Sequence, residues 1–251
     1  MPPILNIAAY RFVTLSDTAR WREGIRSQAS AAGLKGTVLL AEEGINLSLA
    51  GAETAVRGFM DELRRDPRFA GLAAHESRSD RVPFRHLRVK VRREIIRMDC
   101  PSVRPALRRA PAVAPDTLAR WLDAGTDDAG RPLALLDTRN AFEVDRGALR
   151  GAVDWRLARF GDFPAALAAR AGELAGRAVV AYCTGGIRCE KAALLMQASG
   201  LGPVHQLEGG ILGYLRATGG RHWQGDCVVF DDRGALDADL APAAAPPAAG
   251  A

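Results

Sequence analysis
The stretch Val179-Val180-Ala181-Tyr182-Cys183-Thr184-Gly185-Gly186-Ile187-Arg188-Cys189-Glu190-Lys191-Ala192-Ala193 decides the fold of the C-terminal half. It reads as a short buried strand, a glycine-bearing loop opened by Cys183, and a helix whose first turn holds Arg188. Outward from it the pattern alternates. A helix is expected from Thr117 to about Ala124, a strand over Leu133–Asp137, a helical stretch over Phe163–Gly172, and a strand over Ala178–Tyr182. The helix Arg188–Ser199, a strand over Val204–Leu207 and a helix over Ile211–Thr218 complete it. Strands interleaved with helices predict an α/β domain with a parallel sheet, whose sites lie at the carboxyl ends of the strands. Cys183 and Arg139 both fall at such ends.

The N-terminal half reads differently. Ile4–Val13 is a first strand, and Asp17 is an N-cap for a helix running to about Ala32, which Gly33 ends. Gly36–Ala41 and Ile45–Ala50 form a hairpin around Glu42-Glu43-Gly44, and a second helix runs from Glu53 to about Arg65. Arg88–Ile96 is the last strand. The order β-α-β-β-α-β is that of a ferredoxin-like sandwich, an α+β domain. The expected division is therefore a basic ferredoxin-like domain over 1–100, a proline-punctuated linker over 101–115, the α/β domain over 116–225, and a C-terminal segment over 226–251. Ala241–Ala251 is expected to be a disordered tail.

With 251 residues, 48% hydrophobic and 25% charged, the chain has the composition of a globular protein. It contains no run of about eighteen apolar residues and its N-terminus lacks a signal-peptide layout, so a cytoplasmic protein without a membrane partner is expected. Its four cysteines suit no disulfide framework, and its four histidines form no ligand set, so no protein-bound metal is expected. The net charge of +5 lies wholly in the first hundred residues, which hold 17 basic and 12 acidic side chains. That asymmetry points to an acidic partner.

A thiol between a strand end and a helix start meets unpaired N–H groups and the positive end of the helix dipole, which hold it partly as thiolate and make it nucleophilic. Gly185 and Gly186 let the backbone of Thr184 to Ile187 curl into an anion nest, and Arg188 adds a fixed positive charge at its rim. Four residues separate Cys183 from Arg188, one fewer than in the C-x5-R loop that wraps a phosphate, so the loop suits a smaller group such as a terminal sulfur. Cys189 is either a resolving thiol for an oxidised Cys183 or a small core residue. Asp137 and Arg139 either position the loop electrostatically or form an ordinary ion pair tying a strand end to a helix. Arg85, Arg88, Lys90, Arg92 and Arg93 lie in a basic cluster; on a strand, Arg88, Lys90 and Arg92 share one face and form a row able to track a phosphate backbone. Phe84 and His86 stand nearby as stacking groups, which favours RNA contact over a solvated edge. The spacing of Glu42, Glu43 and Asn46 assigns them no role.

Leu135-Leu136-Asp137-Thr138-Arg139-Asn140, Phe142-Glu143-Val144 and Gly151-Ala152, together with the cysteine loop, resemble a rhodanese domain. Ala41–Asn46, Leu87–Ile95, Tyr182–Ala192 and Gly209-Gly210-Ile211-Leu212 resemble the bacterial tRNA uridine(34) hydroxylases, over roughly Leu5 to Arg233. Trp155 departs from that pattern, standing where proline is expected, and the chain lacks the cysteine-bearing extension of longer members. The resemblance implies oxygen-dependent conversion of the wobble uridine of tRNA to 5-hydroxyuridine, with Cys183 as the catalytic cysteine. O2 and an unidentified electron donor are then co-substrates, and the partner is the anticodon region of tRNA, not DNA. The residues alone also accommodate a sulfurtransferase carrying a cysteine persulfide, served by a sulfur-donor protein, or a scaffold that only binds.

Overall fold
The computed structural model describes residues 3–243. The N-terminal part comprises β1 (Ile4–Phe12), α1 (Thr18–Ala31), β2 (Lys35–Ala41), β3 (Gly44–Ala52), α2 (Glu53–Arg64), β4 (Ala74–Ser79) and β5 (Leu87–Val91). They form one sheet in the order β4-β1-β3-β2-β5, antiparallel except for the parallel β2–β5 pair. The first four strands are the ferredoxin-like sandwich. Its fourth strand is Ala74–Ser79, not Arg88–Ile96: the basic stretch is extended only over Leu87–Val91 and adds a fifth strand at the far edge. Strand alternation sets two faces. Leu5, Ile7 and Ala9 of β1, with Val38 and Leu40 of β2, point into a core against Ile25 and Ala29 of α1 and Val56, Phe59, Met60 and Leu63 of α2. Burying those four α2 side chains stabilises the docked helix by on the order of 6–12 kcal/mol, and Phe59→Ala would cost this layer about 3–5 kcal/mol. The opposite face presents Asn6, Tyr10, Thr37, Asn46 and Ser48, and no helix of this domain covers it.

The second part is built on β6 (Ala112–Val113), α3 (Pro115–Ala124), β7 (Leu133–Asp137), α4 (Ala141–Arg146), β8 (Gly147–Leu149), β9 (Val153–Asp154), α5 (Phe163–Arg170), β10 (Ala178–Tyr182), α6 (Ile187–Ala198), β11 (Val204–Leu207), α7 (Gly210–Thr218), β12 (Trp223–Gly225), β13 (Cys227–Val228) and β14 (Ala235–Leu236). Its main sheet is parallel throughout, in the order β6-β11-β10-β7-β9. Every residue of β7 and β10 is buried, which is why both read as near-continuous apolar runs, broken in β7 only by the terminal Asp137. Trp155 fills its own place in the core, stacked on Phe163 and donating its indole N–H to Glu173. The stretch expected to be a linker is partly structural: Val103 and Ala110 are core residues, and Ala112–Val113 is the edge strand beside β11. Likewise Pro242 bridges Leu236 and Ala243 donates to Ala235 O, so the expected disordered tail is ordered at its start, while residues 244–251 lie outside the described residues. Among the described residues no helix is long and apolar enough to cross a membrane.

Candidate active site
Cys183 leaves the end of β10 and α6 begins four residues later, so the loop must reverse within three positions. Gly186 makes the reversal at φ +99°, a left-handed conformation that glycine tolerates, and its N–H lies 3.2 Å from Cys183 Sγ. Gly185 is not in that region and is not needed for the curl. The second indispensable glycine comes from elsewhere. At Gly210 (φ +58°) a Cβ would stand 2.5 Å from Cys183 O and 2.7 Å from Gly186 N. That close approach lets Ile211 N–H donate to Cys183 O (2.9 Å) and Leu212 N–H to Thr184 O (3.0 Å). With these carbonyls satisfied by the start of α7, the loop's own N–H groups turn toward the sulfur.

Arg188 is buried and grips Glu143 of α4 with both arms, at 2.6 and 2.8 Å. Glu143 is fully buried and also accepts from Thr184 Oγ1 (3.3 Å) and Asn140 N–H (3.0 Å). Burial pushes the Glu143 carboxyl up, but Arg188, the Asn140 N–H and Arg139 outweigh it and hold it below its ordinary value. Sequence reasoning gave Glu143 no role. The available signal was the N-cap spacing of Asn140 and Glu143, three residues apart at the start of a helix.

Burial likewise pushes the Cys183 thiol up, and the Cys189 side chain, the Arg188 charge and the N–H groups of Cys189 and Arg188 more than offset it, bringing it down to about 6. Cys189 moves the other way, raised first by burial and then by the neighbouring Cys183. The pair therefore shares one negative charge, carried by Cys183, with Cys189 as its thiol donor and Thr138 Oγ1 3.7 Å from the Cys189 sulfur. Asp137 and Arg139 are fully buried and pair with each other at 2.6 Å. Arg139 donates to Asp137, Gly147 O and Glu143 O, and its guanidinium lies over the Tyr182 and Trp223 rings. It ties a strand end to α4, meets the site at the backbone of Glu143, and adds its charge to those that hold the Glu143 carboxyl down.

The other wall is the open face of the N-terminal sheet. Between it and the cysteine loop lies a cavity of about 580 Å³, lined by Cys183, Thr184, Gly185, Ile187 and Arg188 on one side and by Asn6, Tyr10, Asn46, Ser48 and His75 on the other. Tyr10 OH donates to Glu190 Oε1 (3.1 Å), which Arg109 also reaches at 2.6 Å. His75 packs against Gly185; burial first, and then the charge of Arg216, hold its imidazole below the ordinary value. Lys191, one residue on from Glu190, is buried by the N-terminal part. It donates to Glu94 Oε2 (2.6 Å), Glu43 Oε1 (2.9 Å) and Ile96 O (2.9 Å). Glu43 accepts the Ile95 N–H as well (2.8 Å), and Asn46 donates to Ile95 O (3.1 Å). The polar turn without an assigned role is thus half of a clamp on α6.

The basic residues divide. Thr37 and Leu39, both lining the cavity, are the register partners of Arg88 and Lys90. Arg88 and Lys90 therefore stand exposed on the same face as the cavity floor, at its edge, while Leu87 and Val89 pack on the core. Arg92 lies one residue past β5, Arg93 beyond it, and Arg85 is exposed in the preceding turn, 4.0 Å from Asp232. Phe84 lines the cavity.

A parallel α/β sheet that presents a cysteine between strand and helix, with an arginine closing the loop, defines a rhodanese-like domain, and residues 114–217 match the rhodanese-like domain family. Residues 4–95 match the UPF0176 acylphosphatase like domain. The chain is 59% identical over 245 residues to a tRNA uridine(34) hydroxylase of Bordetella petrii, covering 98% of this chain and 97% of the relative. It is 58% identical to one of Delftia acidovorans (96% and 92%) and 54% identical to one of Cupriavidus necator (96% and 85%). The chain belongs to the tRNA uridine(34) hydroxylase family. Among solved structures, a rhodanese-like domain from Anabaena is similar at 23% identity over 46% of this chain and 79% of that one, with a TM-score of 0.37.

Proposed function
We propose that this protein hydroxylates uridine 34 of tRNA to 5-hydroxyuridine, with O2 as oxidant and an external electron donor, through Cys183. The observation that carries the reading is the cavity itself. A sulfur held as thiolate near neutral pH faces a nucleoside-sized space, and the opposite wall of that space continues into the basic edge of Arg88 and Lys90. A base in an anticodon loop is already unpaired, so entering such a space costs little unstacking.

In the proposed chemistry the Cys183 thiolate adds to C6 of the uracil, moving its electron pair onto C5. C5 takes up O2 as a hydroperoxide, which two electrons and two protons from the donor cleave to a C5 hydroxyl and water. Loss of the C5 proton then expels the thiolate and restores the double bond. Gly186 N–H and Arg188 stabilise the sulfur anion at the start and the end of the cycle. Arg85, Arg88, Lys90, Arg92 and Arg93 supply the phosphate contacts of the anticodon region in this reading.

The test is nucleoside analysis of tRNA from cells lacking the gene, complemented with wild type or Cys183→Ser. Wild type restores a position-34 uridine heavier by one oxygen atom and the variant does not. An unchanged position-34 nucleoside on deletion overturns the reading, and loss of a thiolated nucleoside instead assigns the cysteine to sulfur transfer.

A further inference from the structure
Of the eight phenylalanines only Phe142 and Phe230 are exposed, at 53% and 65%, and these two touch, edge to face with centroids 6.4 Å apart. Such a pair in water is unusual where the remaining rings are withdrawn, and its mounting is rigid. Phe230 sits on the turn between β13 and β14, beside the cavity it helps line. The turn is closed by Val229 N–H to Gly234 O (3.0 Å) and by a part-buried Asp231–Arg233 pair at 2.6 Å. Arg233 then reaches Ser77 Oγ on β4 (2.7 Å), and Asp232 N–H bonds Pro83 O (3.0 Å), so the tip is fastened to the N-terminal sheet as well. Phe142 is held on the first turn of α4, next to the Glu143 that anchors Arg188.

We infer that Phe142 and Phe230 form a stacking platform for the unpaired nucleotides flanking the uridine that enters the cavity. The inference rests on the proposed function and names a part of substrate recognition that the cysteine loop does not provide. Flat, exposed, preorganised rings at the mouth of a nucleoside-sized cavity suit bases, because every base offers a π face regardless of sequence. Charge complementarity selects RNA over an apolar peptide. Arg85, 4.0 Å from Asp232, lies beside the Phe230 turn and leads into Arg88 and Lys90 on the cavity-floor face, and Arg159, 78% exposed and in a surface pair with Asp162 at 3.0 Å, lines the same cavity. A strand running from the basic edge across the mouth has its phosphates on arginine and its bases on phenylalanine.

The experiment uses full-length protein and an anticodon stem-loop RNA carrying 2-aminopurine next to position 34. Wild type quenches the probe on binding. Phe230→Ala and Phe142→Ala each weaken binding about tenfold and lose most of the quenching, with the salt dependence unchanged, since no phosphate contact is removed. Phe230→Trp restores both, whereas Phe230→Leu, equally apolar, does not. Wild-type affinity and quenching in both alanine variants overturn the platform. So does retention of RNA binding together with lost turnover only when a protein supplies the electrons, which would make the rings a protein-docking patch. Hydroxylation of uridine 34 by wild type in parallel shows that such a failure belongs to the platform; no hydroxylation at all shows that it belongs to the proposed function.

Discussion

Removing the buried charge pair behind the cysteine loop, Arg188→Met together with Glu143→Gln, tests the electrostatic account of Cys183 directly. Replacing both partners avoids a lone buried carboxylate, whose exposure to an apolar pocket would confuse the result with unfolding. Lowering the thiol from its ordinary 9.0 to about 6 favours the thiolate by roughly 4 kcal/mol, shared among the Cys189 side chain, Arg188 and the loop N–H groups against the opposing burial. A cation in contact with the ionising group contributes about one to three pH units of that lowering, so in the double variant the midpoint rises to about 7–9. The assay is the rate of alkylation by iodoacetamide between pH 5 and 10, read on Cys183 by peptide mass spectrometry. At pH 7 the rate falls by about twofold for a midpoint of 7 and by about ninetyfold for one of 9, in proportion to the thiolate that remains. A folded double variant whose midpoint stays at about 6 refutes the argument and transfers the whole effect to the backbone nest and Cys189.

The same lowering makes stability pH-dependent with a fixed sign. A depressed folded-state value contributes stability above the unfolded value and loses it as pH falls through the folded one. Wild type therefore gains stability over Cys183→Ser as pH rises from about 6 toward 9, measured by urea denaturation at several pH values; a difference independent of pH contradicts it. Lys191→Met leaves Glu43 and Glu94 facing each other in the interface and costs about 3–5 kcal/mol in the same denaturation assay, whereas a purely surface lysine would cost about 1 kcal/mol or less. Arg88→Glu with Arg92→Glu weakens anticodon stem-loop binding and lowers the slope of log affinity against log salt by about 1.4, at about 0.7 per phosphate contact on single-stranded RNA; an unchanged slope returns the strand to a solvated edge. Gly210→Ala forces a Cβ onto Cys183 O and Gly186 N, so the loop shifts and turnover falls while circular dichroism stays that of wild type.

What the chain reveals by itself follows the range of the interactions. The buried strands β7 and β10 and the helix α2 are legible because their apolar pattern is local, α1 because Asp17 and Gly33 bracket it, and the cysteine loop with α6 because strand, glycine and arginine are contiguous. The fourth ferredoxin-like strand escapes. Ala74-His75-Glu76-Ser77-Arg78-Ser79 has no apolar alternation, because it is an edge strand: His75 and Ser77 line the cavity, while Glu76 and Arg78 on the other face pair with Arg57 and Glu53 at the rim of the core. Helix α4 is six residues long, too short for a period, and only its Asn140–Glu143 spacing announces it. The partners of the site are harder still. Tyr10 meets Glu190 across 180 residues and Glu43 meets Lys191 across 148, and no local pattern encodes such pairs.

Those long-range pairs give the start of α6 its significance. Successive residues of a helix step by about 100°, so Arg188, Cys189, Glu190 and Lys191 together look in nearly every direction around the axis. Each direction is taken. Arg188 meets Glu143, Cys189 lies against Cys183 and Thr138, Glu190 receives Tyr10 and Arg109, and Lys191 is held by Glu43 and Glu94. Two of the four sets of partners lie in or against the N-terminal sheet, which also forms the far wall of the cavity. A rhodanese-like domain alone would keep the thiolate and its arginine but present Glu190 and Lys191 to water and Cys183 to bulk solvent. The N-terminal sheet is therefore part of the candidate site: the contacts that fix the helix behind the sulfur also bring a basic-edged surface in front of it.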